Sequence, residues 1–230
     1  TNTKPFIYGI EQSEIKNIID LSLDIPSDCA TKLINNQVDI GLIPVATIPL
    51  VPNAQLITNY CIGAVGAVNS VFVFSNVPFT AIKTVKLDPQ SRTSNNLAKV
   101  LFKFHFKTEV IFSNDELEET DAHILIGDRT FGHKDDFAFA YDLSEEWMKF
   151  TGLPFVFAAW VANKPINELF VQQFDKALQM GLNQRKELLK TLSTYPNFDL
   201  EDYFFNKLDF SFNEDKRTAL ALFLQYIKEL

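Results

Sequence analysis

Ser91, Arg92, Thr93 and Ser94 set three hydroxyls and a guanidinium directly ahead of Leu97, Val100, Leu101 and Phe104, whose spacing is i, i+3, i+4 and i+7. That spacing is the buried stripe of an amphipathic helix, so the polar group occupies its first turn. The free amide N–H groups and positive dipole end of a helix attract a carboxylate or phosphate, and Ser or Thr hydroxyls add hydrogen bonds in the same direction. The chemistry on offer is anion binding. The same residues also suit an ordinary N-cap that holds no ligand, and composition alone leaves both readings open.

The elements that must position this turn follow from periodicity. Strand-like runs at 38–44, 68–74, 84–87, 110–112, 123–126 and 155–161 alternate with helical patterns at 26–36, 94–106 and 142–149. Such alternation predicts an α/β fold with largely parallel sheets. Beyond Asn163 the patterns at 166–182, 185–193, 199–205 and 214–230 are all helical, a C-terminal cover. Two long apolar runs, 66–74 and 155–162, bracket a block of about 90 residues, the size of a small domain. Taken as crossings between lobes, they place 1–68 and 161–230 in one lobe and 69–160 in the other, with a ligand cleft between them.

Composition narrows the partners. Hydrophobic residues make up 47% of the chain, ample for a core, and the 22 phenylalanines are spread along it as packing residues. The net charge is -8 and no run of Lys and Arg tracks a phosphate backbone, which argues against nucleic acid. Cys29 and Cys61 are too few for a disulfide scaffold and lack metal-ligand spacing with His105, His123 or His133, so no metal site is expected. No apolar stretch approaches the length of a membrane span, and a soluble protein with no membrane partner is expected.

Further segments rich in Gly, Ser, Asn and Asp flank apolar strands: Tyr60-Cys61-Ile62-Gly63-Ala64-Val65-Gly66-Ala67-Val68-Asn69-Ser70-Val71, Ile124-Leu125-Ile126-Gly127-Asp128, and Tyr141-Asp142-Leu143 with Thr151-Gly152-Leu153-Pro154-Phe155-Val156-Phe157-Ala158 before Trp160. Together with Asp88-Pro89-Gln90-Ser91-Arg92-Thr93-Ser94, and in this order over nearly the whole chain, they resemble the chorismate dehydratases of the futalosine route to menaquinone. The resemblance implies a two-lobed fold of the periplasmic-binding-protein type II kind in a cytoplasmic enzyme. That family also carries a Tyr-x-Asn-x-x-Pro segment after its first strand, and Thr1-Asn2-Thr3-Lys4-Pro5 resembles its tail. A strand is therefore expected ahead of Thr1; an intact mass for full-length protein that begins at Thr1 would contradict this.

What the resemblance implies is loss of water from chorismate to give 3-[(1-carboxyvinyl)oxy]benzoate, a small-molecule reaction needing no redox cofactor. The expected assembly is a monomer or weak homodimer. Ser91, Thr93 and Ser94 are expected to hold a substrate carboxylate, with Arg92 reaching either the ligand or a surface acid. Ser70 is a second anchor or a strand-end hydroxyl. Asn2 is the residue the resemblance marks for catalysis; a neutral amide orients a leaving hydroxyl rather than abstracting a proton, which leaves the substrate's own enolpyruvyl carboxylate as the base. Asp128 is the protein alternative, or else a cap on the turn at Arg129 and Thr130. Phe155 and Phe157 share one strand face and wall the ring or pack the core. Two other functions stay open: a solute-binding protein for a small carboxylate, and the sibling 1,4-dihydroxy-6-naphthoate synthase, in which a cleft histidine is thought to act. None of the three histidines here sits in a convincing motif, which favours the dehydratase.

Overall fold

Pro5, whose fixed φ and missing N–H suit a first helical turn, opens α1 (Lys4–Glu11), and Phe6, Gly9 and Ile10 form its buried face. The computed structural model, which describes residues 1–115 and 119–230, thus starts with a helix that the strand-and-helix patterning did not announce. Pro26 does the same for α2 (Pro26–Ile34), which feeds β1 (Ile40–Pro44). Along the chain follow β2 (Gln55–Ala64), β3 (Val71–Ser75), β4 (Thr84–Lys86), α3 (Arg92–Val100), β5 (Ile111–Ser113), β6 (Ala122–Ile126), β7 (Phe139–Asp142), α4 (Leu143–Thr151) and β8 (Phe155–Ala162). The C-terminal cover comprises α5 (Glu168–Asn183), α6 (Arg185–Leu189), the single turn α7 (Leu200–Asp202), β9 (Asp209–Ser211) and α8 (Glu214–Lys228). The α/β class expected from the alternation is what the chain adopts.

The strands divide between two sheets, ordered β1-β8-β2-β9 and β5-β4-β6-β3-β7. Among the described residues only the pairs of β4 with β5 and with β6 are parallel; the other pairs are antiparallel. The expectation of largely parallel sheets is thus corrected. The reason lies in β3 and β8, the first strands laid down after the chain passes from one sheet to the other, each of which runs against its neighbours. These strands are also not the crossings themselves. β3 lies wholly in the second sheet and β8 wholly in the first, so the passages are residues 65–70 and 143–154.

One buried carboxylate ties the passages together. Asp142 Oδ2 accepts the Asn69 N–H at 2.7 Å, and Oδ1 caps α4 by accepting the N–H groups of Ser144 and Glu145. Burial pushes its carboxyl up to about 6, against the pull of those N–H groups. A group with a raised folded-state value loses its proton first in the unfolded chain, so stability is expected to fall as pH rises from the ordinary 3.8 to about 6 and then level off. Denaturant midpoints measured across that window should show the fall, by about 3 kcal/mol at most, and Asp142→Asn should flatten it.

Helix α1 is held in place by backbone-to-backbone packing on α5. A Cβ added at Gly181 would meet the Pro5 carbonyl oxygen at 1.8 Å, and one at Gly9 would meet that of Ala177 at 2.0 Å. Neither obstacle is a flexible side chain. Gly181→Val is therefore expected to pry α1 away at a cost of roughly 3 kcal/mol in thermal unfolding. At the other end of the core, Trp147 of α4 is fully buried, donates its indole N–H to the Pro154 carbonyl at 3.1 Å and meets the rings of Phe155, Phe223 and Tyr226. No helix among the described residues is long and apolar enough to cross a membrane.

Candidate functional site

Ser91 is the N-cap of α3: its Oγ accepts the Ser94 N–H at 3.1 Å. Ser91, Thr93 and Ser94 are buried, whereas Arg92 is exposed and has no side-chain partner among the described residues. Thr93 Oγ1 accepts the N–H of Ala46 at 3.3 Å, which joins α3 to the turn after β1. The loop ahead of the cap is made rigid by Asp88 and Asn95. Asp88 N–H donates to Asn95 Oδ1 at 2.9 Å, Asn95 Nδ2 returns a bond to the Asp88 carbonyl at 2.8 Å, and Asp88 Oδ1 accepts the Gln90 N–H. Asp88 Oδ2 takes the guanidinium of Arg129.

Arg129 brings in the turn after β6. Gly127 has φ +62°, a left-handed conformation that favours glycine, and its N–H donates to the Ser70 carbonyl at 2.7 Å. Asp128, next in line, accepts hydrogen bonds at Oδ2 from the Thr1 hydroxyl and from Tyr195 OH, the latter at 2.9 Å. Burial pushes its carboxyl up, but the Thr1 and Tyr195 hydroxyls are among the groups that outweigh it and hold the carboxyl below the usual carboxylate value. Ser70 Oγ accepts the hydroxyl proton of Tyr203 at 2.8 Å, and that buried phenol is itself raised above its ordinary value by desolvation. Phe131 stacks on Phe198 with centroids 3.7 Å apart, which seats the Tyr195-to-Tyr203 segment over the Gly127 turn.

These contacts form one chain, from the segment holding Asn2 through Asp128 and Arg129 to Asp88, the α3 start and the turn after β1, with Ser70 attached at Gly127. Asn2 is partly exposed, and its side chain has no partner among the described residues. Phe155 is not part of this assembly. It is 1% exposed and packs edge-on to Trp147, Phe157 and Phe223. Of the two roles expected for it, the packing one is what this arrangement displays: in β8 it faces α4 and α8, where aromatic packing covers its surface. The cap reading of Ser91 is realised. For Asp128, the alternative of capping the turn is not, because the Oγ1 of Thr130 bonds the Gly127 carbonyl while the Asp128 carboxylate turns to Thr1 and Tyr195.

Sequence reasoning missed Tyr195, Tyr203 and the pairing of Arg129 with Asp88, which come from the C-terminal cover and from loops with no periodic signal. The arginine tied to the site is Arg129 and not Arg92. Arg129→Ala strands a fully buried carboxylate and is expected to lower stability by about 2–3 kcal/mol, while Arg92→Ala should stay within about 0.5 kcal/mol; paired urea titrations check both. His105 lies near Glu146 at 3.6 Å, His133 bonds Asp136, and His123 packs against the rings of Phe74 and Phe137, its value lowered by burial and by Lys86. All three lie outside the chain of contacts. Cys61 is buried, its thiol pushed up to about 12 by desolvation, and Cys29 is partly buried; both are free. A cavity of about 220 Å³ opens beside Asn69, Thr130 and Tyr203, but its walls include none of Asn2, Ser91, Thr93 or Ser94.

Solved structures share this architecture at low identity. A protein of Archaeoglobus fulgidus superposes with a TM-score of 0.66 at 13% identity, covering 98% of this chain and 94% of its own. An ABC transporter protein from Parabacteroides distasonis gives 0.60 at 14% identity, covering 90% and 80%. The alkanesulfonate-binding protein SsuA from Xanthomonas axonopodis pv. citri, bound to MOPS, gives 0.56 at 10% identity, covering 88% and 80%. At these identities the likeness establishes the fold, the periplasmic-binding-protein type II kind. A family model described as menaquinone biosynthesis matches residues 1–229. By that match over the whole length, the chain belongs to the menaquinone-biosynthesis family.

Proposed function

We propose that this member of the menaquinone-biosynthesis family is a chorismate dehydratase, a hydro-lyase that forms 3-[(1-carboxyvinyl)oxy]benzoate and water. The observation that carries the reading is the continuous chain of contacts linking the Asn2 segment, the Asp128 turn, Ser70 and the α3 start. Chorismate has two carboxylates and a hydroxyl that leaves. Ser91, Thr93 and Ser94, with the amides of the first turn, offer a carboxylate anchor, and Ser70, held by Tyr203, supports the turn opposite.

In the reaction a ring C–H and the C–OH bond on the neighbouring ring carbon break, the C–H electron pair becomes a ring π bond, and the proton taken from carbon is passed on to the departing hydroxyl, which leaves as water. Asn2 orients that hydroxyl through its amide, and the enolpyruvyl carboxylate of the substrate receives the ring proton. Asp128 is a poor candidate for the base, since its carboxyl is held below the usual value and is engaged by two hydroxyls. Its role in this reading is to fix Thr1, and with it the adjacent Asn2. The placement of all three histidines outside the contacts favours the dehydratase over the sibling naphthoate synthase. A cytoplasmic location and a monomer or weak homodimer belong to the same reading.

The solute-binding fold makes capture without chemistry the natural rival. A steady-state assay separates them: a catalytic amount of the protein should consume excess chorismate, read as loss of the diene absorbance. Stoichiometric binding with the diene intact would replace the enzyme with a binding protein, and absence of both would remove chorismate altogether.

A further inference from the structure

Just ahead of the hydroxyl-rich start of α3 sits a carboxylate, the wrong charge for an anion site. Asp88 lies three residues before the N-cap Ser91, and its side chain is fully buried. Its place is fixed from every side: Oδ1 accepts the Gln90 N–H at 2.8 Å, the carbonyl accepts the Ser91 N–H at 3.3 Å, and Asn95 of α3 bonds both its N–H and its carbonyl. These bonds keep the carboxylate within a turn of the free amides of α3. A negative charge there takes up the positive field of the helix end and repels a second anion, and burial removes the water and salt that would screen it. Arg92 stands in solvent, where its charge is screened. The charge that meets Asp88 directly is the guanidinium of Arg129, brought to Oδ2 by the turn after β6.

We infer, resting on the assignment of Ser91, Thr93 and Ser94 as a carboxylate anchor, that Arg129 is the residue that makes this anchor receptive to an anion. By neutralising Asp88 it leaves the field of the helix end to the ligand. Arg129 acts through Asp88 and touches no ligand itself. The ligands that depend on it most are dicarboxylates, because repulsion from a bare Asp88 grows with the charge brought to the site. What the anchor requires at position 129 is a positive charge, more than the planar fork of a guanidinium. Lysine therefore serves there and a neutral amide does not. A chain lacking both charges is receptive again, since the repelling carboxylate and its counter-charge leave together.

Calorimetric titration with 3-[(1-carboxyvinyl)oxy]benzoate, a dicarboxylate that the proposed reaction does not consume, tests this. Arg129→Gln is expected to weaken binding by about 10-fold or more. Arg129→Lys should bind within about threefold of the parent protein, and so should Asp88→Asn combined with Arg129→Gln. Equal binding by Arg129→Gln and the parent overturns the proposal. So does a lysine variant or a double variant as weak as Arg129→Gln, because a pair that serves only to hold the loop is not restored by charge alone. Should Arg129→Gln fail to fold, the double variant decides: binding within about threefold of the parent supports the proposal, and a larger loss overturns it. A parent protein that does not bind the dicarboxylate removes the anchor itself, and the role of Arg129 with it.

Discussion

Asn2→Asp is expected to lower kcat by about 100-fold or more while leaving the melting midpoint nearly unchanged, the size typical of lost orientation at a reacting centre. Asn2 is partly exposed at the entry to α1, so little packing depends on it. Its amide both donates and accepts; a carboxylate only accepts. The substitution also sets an anion one residue from Thr1, which is already bonded to Asp128, and close to where the proposal puts a dianionic substrate. Repulsion and loss of the donor act in the same direction. Turnover equal to that of the parent protein would remove Asn2 from the chemistry, and a large loss of stability would recast it as structural.

Trp147→Ala is expected to be the most damaging single truncation in the core, at about 3–5 kcal/mol. The indole fills fully buried space, holds the Pro154 carbonyl and meets Phe150, Phe155, Phe223 and Tyr226 at edge-on angles. Those rings belong to α4, β8 and α8, so the residue fastens the second passage between the sheets to the C-terminal cover. Urea unfolding measures the loss directly. A change under about 1 kcal/mol would mean that the surrounding rings collapse into the void, against the usual partial relaxation.

Much of the architecture was legible from periodicity, and the exceptions have physical causes. The α3 start, β1, β6, β8 and the long helices α5 and α8 carry strong patterns and fall near their expected positions. β2 does not, because Gly63 and its polar neighbours read as a loop. In the structure Gly63 admits the Phe155 carbonyl oxygen, where a Cβ would come within 2.5 Å, so the glycine serves strand packing. The pattern at 94–106 was continuous, yet α3 ends at Val100 and Leu101–His105 wind as a π-helix. Strand direction was misread because alternation along the chain says nothing about which strand meets which neighbour after a passage between sheets.

At the site, local chemistry identified the hydroxyl-rich helix start and the Gly127-Asp128 turn, but their joining depends on long-range partners. Thr1, Tyr195 and Tyr203 lie 127, 67 and 133 residues from the groups they bond. No spacing rule reaches so far. Phe155 shows the converse, since strand alternation places it on one face with Phe157 and leaves open whether that face meets a cleft or the core.

The most direct test of the dehydratase assignment is a quenched incubation of the protein with an equal amount of chorismate, the products being identified by mass and by proton NMR of the ring. The account predicts an aromatic product, 3-[(1-carboxyvinyl)oxy]benzoate, formed with loss of one water and with the enolpyruvyl ether intact. Recovery of unchanged chorismate, or of an aromatic product that has lost its enolpyruvyl group, would contradict it.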